Sequence, residues 1–117
     1  MDATHRDLAA GRWWALSLAE QLGNIGSEVS RAERWKTRNP EISRAAFFRA
    51  LELLDLTLDD RRLRQSRPRL REIARAREVI ADYFFGSNQY GSSGDALQKY
   101  FDAFALAARQ QRLDRQT

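Results

Sequence analysis

At 117 residues, with 43% of them hydrophobic and a net charge of +4, the chain has the length of one domain and the apolar content to build one core. It has no cysteine, and its one histidine, His5, falls in an N-terminus expected to fray; disulfides, thiolate chemistry, Ser-His-Asp catalysis and Cys/His metal sites are thereby excluded. No apolar run approaches the ~20 residues of a membrane span, and MDATHRDLAAGRWW lacks the pattern of a signal peptide, so the expectation is a cytoplasmic protein with no membrane contact, no metal and no cofactor.

Four stretches carry helical periodicity and none alternates like a strand, which predicts an all-α fold, an up-down-up-down four-helix bundle. The first helix is expected over 7–36, where Gly11, Ala15, Leu18, Leu22, Ile25, Val29 and Ala32 form a heptad seam. Gly23 and Gly26 lie off that seam and call for a close helix contact or a bend. Asn39-Pro40 starts a second helix over 40–56, Asn as N-cap and Pro in the first turn. Apolar residues cover more than half of its circumference, so it is either central or shared with another copy of the chain. Thr57-Leu-Asp-Asp reads as the cap of one further short turn, and Ser66-Arg-Pro68 restarts the chain as a helix over 68–85. A loop, 86–94, precedes a last helix over 95–112 with Asp95 as its cap, and the final residues are expected to fray.

Charge is concentrated in one place. From Arg61 to Arg77 the chain holds eight arginines and one acid, Glu72; the other 12 basic and 15 acidic residues sum to −3, so this segment carries the whole positive balance. Planar guanidinium forks suit phosphate oxygens, which makes Arg61, Arg62, Arg64, Arg67, Arg69, Arg71 and Arg75 candidates for binding RNA or DNA. With 18 arginines against two lysines, a general preference for arginine on a solvated face is the alternative.

Arg77 falls at the centre of the apolar arc made by Leu70, Ile73, Ala74, Ile80, Ala81 and Phe84. A guanidinium there needs a partner, and Glu28, on a polar ladder with Ser17, Gln21, Asn24 and Arg31, is the expected one, forming a buried pair; the alternative is an anion site between helices. Glu78 and Asp82, one turn apart, are expected to lie on a solvated face paired with Arg75. The polar 86–94 loop is expected to be a structured turn, and Trp13 and Trp14 to be core and rim.

The strings 17–31, 50–57 and 82–91 resemble a family of small uncharacterised bacterial helical proteins, a likeness that covers most of the chain and implies no activity. Asn24-Ile25 followed by Arg31 resembles the Asn-Ile…Arg element of the four-helix-bundle proteins of ribosomal RNA intervening sequences, related to accessory proteins of diversity-generating retroelements. That likeness implies basic ring oligomers that bind nucleic acid and a protein partner. Arg77-Glu-Val-Ile-Ala-Asp-Tyr83 resembles the arginine-to-tyrosine spacing of HEPN ribonuclease toxins, with the usual histidine absent. It implies a phosphate-stabilising Arg77 and a catalytic or modifiable Tyr83 hydroxyl. The sequence thus favours a homo-oligomeric binding module over a ribonuclease toxin or a pure protein-interaction bundle.

Overall fold

The computed structural model describes residues 3–116, with side chains from residue 9 onward, so the side chain of His5 lies outside the described ones. Every regular element among them is helical: α1 (Ala3–Trp14), α2 (Leu18–Trp35), α3 (Pro40–Leu58), α4 (Arg61–Arg64), α5 (Arg67–Phe85) and α6 (Gly94–Gln116). The chain is all-α as expected, and the count of four helices is corrected to six. No helix among the described residues is long and apolar enough to cross a membrane.

The main correction falls in the first expected helix, which is two helices. Ser17 is extended, its hydroxyl accepts from the Glu20 amide at 3.1 Å, and its own amide donates to the Glu20 carboxylate at 3.1 Å. This reciprocal capping box, spelled Ser17-Leu-Ala-Glu20, begins a new helix because it satisfies two backbone groups that a continuous helix would satisfy within itself. The apolar spacing runs straight through the break, since periodicity reports which face is buried and not where the backbone finds its partners.

The break is held by a buried polar network. Gln21 donates to the Trp13 and Leu16 carbonyls and to Asp60 at 2.9 Å, and accepts from the Thr57 hydroxyl at 2.9 Å. Thr57 in turn accepts from the Trp13 indole at 3.0 Å, and Arg62 reaches the Leu16 carbonyl at 2.6 Å and the Asp60 carboxylate at 2.6 Å. The α1–α2 elbow is thereby tied to the α3–α4 turn, with no buried side-chain polar atom left unpaired among the described residues.

α2 lies between α3 and α6, and Leu22, Ile25 and Val29 form the middle of the core with Phe47, Leu54, Ile73, Ile80 and Phe101. Its glycines mark a close contact: a Cβ on Gly26 would lie 2.5 Å from that of Phe101, and one on Gly23 3.2 Å from the Ala105 backbone. Side chains there would hold α6 away, so glycine's helix cost of about 1 kcal/mol is offset by packing. Ser66 caps α5 as expected, and Ser93, instead of Asp95, caps α6 by accepting from the Ala96 amide at 3.1 Å. α6 continues to Gln116, beyond the expected end near residue 112.

Candidate nucleic-acid interface

The short α4 and the long α5 sort the arginine segment into two groups. Arg62 belongs to the buried network, Arg64 pairs with Asp59 at 2.9 Å, and Arg69 pairs with Glu72 at 2.8 Å while lying 5.6 Å from the Phe104 ring centroid. The same Glu72 accepts from the Tyr100 hydroxyl at 2.8 Å; burial first, and then this bond, push the Tyr100 phenol upward. Of these three guanidinium groups, Arg62 joins the buried network and Arg64 and Arg69 form exposed ion pairs. Arg61, Arg67 and Arg71 are exposed and have no carboxylate partner among the described residues.

Arg67, Arg71 and Arg75 follow one another at intervals of four on α5, which sets them within a quarter turn of azimuth and about 6 Å apart along the axis. Arg75 lies 5.7 Å from the centroid of Tyr90, a ring that the 86–94 loop folds back onto α5. That loop is a structured turn. Asp82 holds it, its carboxylate accepting from the Gln89 and Tyr90 amides at 3.0 Å each, while Asn88 and Gly91 take positive φ and the Asn88 side chain bonds Ser92 on both sides. Glu78 accepts from the Tyr90 hydroxyl at 2.9 Å, and this bond pushes the phenol up. Glu78 and Asp82 are therefore loop anchors, and Arg75 stacks on Tyr90 where an ion pair with them was expected. The sequence carried a signal for this: an acid four residues before a Gly-Ser-Asn loop can receive the loop's free amides.

Arg77 departs from its expected place. It pairs with Asp55 of α3 through Nε at 2.6 Å and its terminal nitrogen at 3.2 Å, and 36% of its side chain is exposed. Glu28 instead lies 3.9 Å from Arg31 on its own helix. The expected buried Arg77–Glu28 pair is replaced by a rim pair because the aliphatic stem of arginine covers the apolar arc while its head reaches water. Tyr83 donates to both oxygens of Glu33 at 2.9 Å, under the Lys36 ammonium at 4.2 Å from the ring centroid. Arg77 is thus committed to α3 and Tyr83 to α2, about 120° apart around α5, and the two do not meet in one cleft.

Comparison of the chain with protein-family models, with curated proteins and with solved structures finds no match.

Proposed function

We propose that this chain is a non-enzymatic helical binding module that holds the phosphates of RNA or DNA on the arginine row of α5 and works as a homo-oligomer, as an accessory to a larger assembly. The observation that carries this reading is the division of the arginines: Arg62, Arg64, Arg69 and Arg77 have carboxylate partners within the fold, while Arg61, Arg67 and Arg71 are exposed without a carboxylate partner among the described residues and Arg75 faces a ring. A solvated face of charge pairs would have distributed acids among them. Here Glu72, the one acid of the segment, points to Arg69 and Tyr100 on the side of α6. Guanidinium groups spaced along a rigid helix match phosphate oxygens and contact no base, so they give affinity without base specificity.

Fluorescence anisotropy with labelled RNA and DNA tests this. Binding should weaken steeply with salt, with a log–log slope of about −0.9 for each duplex phosphate neutralised and about −0.7 on single strands. Replacing Arg67, Arg71 and Arg75 by Gln should remove most of that slope while leaving the melting temperature nearly unchanged, because none of the three holds the fold together. Absence of binding to mixed RNA and DNA at low salt would overturn the reading.

A further inference from the structure

We propose that the end of the α3–α5 pair is a stacking platform for unpaired bases, on which Phe85 and Phe48 carry the bases while Lys36 and Arg44 hold the neighbouring phosphates, so that the ligand is single-stranded nucleic acid. This rests on the polyanion reading above and narrows it from phosphates in general to a strand whose bases are free.

Phe85 is the last residue of α5 and is 63% exposed. Its ring lies over that of Phe47 with centroids 5.5 Å apart and planes 15° from parallel, and Phe47 is itself buried against Phe84. The stack therefore begins in the core and ends in a ring that is largely exposed. Phe48, 46% exposed, stands beside it at 5.9 Å and 53° as a side wall. A groove of about 150 Å³ opens next to these rings, lined by Phe47, Phe84 and Phe85 with Lys36 and Arg44 among its walls. Three rings and two cations share this small groove, with the Lys36 ammonium 6.0 Å from the Phe84 centroid. A protein partner seeks a broader apolar centre depleted of lysine, whereas an unpaired base between two phosphates needs one open ring face with a cation near it.

The platform is continuous with the arginine row. Eighteen residues separate Arg67 from Phe85, which at about 100° per residue is five full turns, so the two share one line on α5, roughly 27 Å apart along the axis. The acids between them, Glu78 and Asp82, are occupied by Tyr90 and the loop amides, and Tyr90 presents a further exposed ring beside Arg75. A strand laid along this line meets the arginines, then the Tyr90 ring with the Glu78 and Asp82 carboxylates under it, then the Phe85 stack, with Lys36 and Arg44 lining the groove beside that stack. Bases inside a duplex are already stacked on one another and cannot reach these rings without being pulled out.

The test uses the full chain with a labelled oligouridine of about 15 nucleotides and a blunt duplex of the same length, read by anisotropy, and with an oligonucleotide carrying 2-aminopurine, whose fluorescence drops on stacking. The single strand should bind more tightly. Phe85→Ala and Phe48→Ala should each weaken single-strand binding about tenfold, leave duplex binding and the salt slope unchanged, and abolish the quenching; Phe85→Trp should keep it. Both rings are at the surface, and unchanged melting temperatures would establish that the variants fold. If single-strand affinity and quenching persist in both alanine variants, the platform is wrong while the charge reading survives. If the variants lower the particle mass in light scattering with unchanged oligonucleotide affinity, the patch is a protein contact and the platform is likewise wrong. If the wild-type chain binds neither probe at low salt, the polyanion reading itself fails.

Discussion

Asp60 is 4% exposed, yet it stays ionised because Arg62, Gln21 and the Arg62 amide all donate to it. The Arg62 hydrogen bond is the strongest of these effects and outweighs the burial that opposes ionisation, holding the Asp60 carboxyl at about 2, below the usual 3.8. A carboxylate depressed in the folded state contributes stability that is complete above its unfolded value and disappears as pH falls through the folded one. Stability should therefore decline between about pH 4 and pH 2, with roughly 2 kcal/mol of that loss belonging to this residue. Denaturant melts of wild type and Asp60→Asn across this range should converge at the acid end and differ by that amount at pH 7. At Arg77 the expectation is small. Its pair with Asp55 lies at a half-open rim, so Arg77→Met, which keeps an apolar stem over the arc and removes only the pair, should cost about 1 kcal/mol or less by the same melts, where breaking a buried pair would have cost about 3–5. The helical wheel placed the Cα of Arg77 correctly, and the error lay in treating a long flexible side chain as if its charge sat at its Cβ.

At the scale of elements, the caps written in local sequence were the most legible features. Asn39-Pro40 and Ser66-Arg-Pro68 start α3 and α5 where the residues say they should, because an N-cap is a contact between neighbours in the chain. Ser17-Leu-Ala-Glu20 is equally local, but a strong heptad seam overlies it and masks the break between α1 and α2. Ser17→Ala removes one half of the box and should cost about 1 kcal/mol, measured by chemical denaturation; its second bond, to Gln111 of α6 at 2.8 Å, is exposed and adds little. Gly23 and Gly26 announced either a bend or a close contact, and only the position of α6 decides between them. Gly26→Ala should be more damaging than any helix scale allows. The added methyl gains about 1 kcal/mol of helix propensity but meets Phe101 at a distance that real side chains do not tolerate, so net destabilisation is expected in thermal melts. The loop at 86–94 was legible as a turn, while its service to the candidate site, returning Tyr90 to Arg75, depends on Asp82 and became visible only in three dimensions.

For the molecule as a whole, the charged segment was visible in the sequence as a sum, whereas its usable part is the fraction that the fold leaves unpaired. The same holds for apolar surface. The helix over 40–56 was expected to be central or shared; α2 takes the central place, α3 leaves Ile42 and Phe48 exposed, and Leu106 and Leu113 of α6 are 65% and 51% exposed and seven residues apart, hence on one face. Gln111, which accepts from the Ser17 hydroxyl, and the buried Ala108 mark the side of α6 that meets the core, so this leucine face is turned away from it. Self-association through it would cover both leucines without masking Arg67, Arg71 or the Phe85 ring, and would give each particle more than one arginine row. Light scattering at tens of micromolar should then give a mass above the 13.5 kDa of one chain, and Leu106→Glu with Leu113→Glu should return it to that value. Because linked rows raise the effective concentration of the second contact, the same double variant should weaken binding to long oligonucleotides by about 100-fold while changing binding to short ones little. A wild-type mass of 13.5 kDa would remove self-association and leave the single row to account for any affinity by itself.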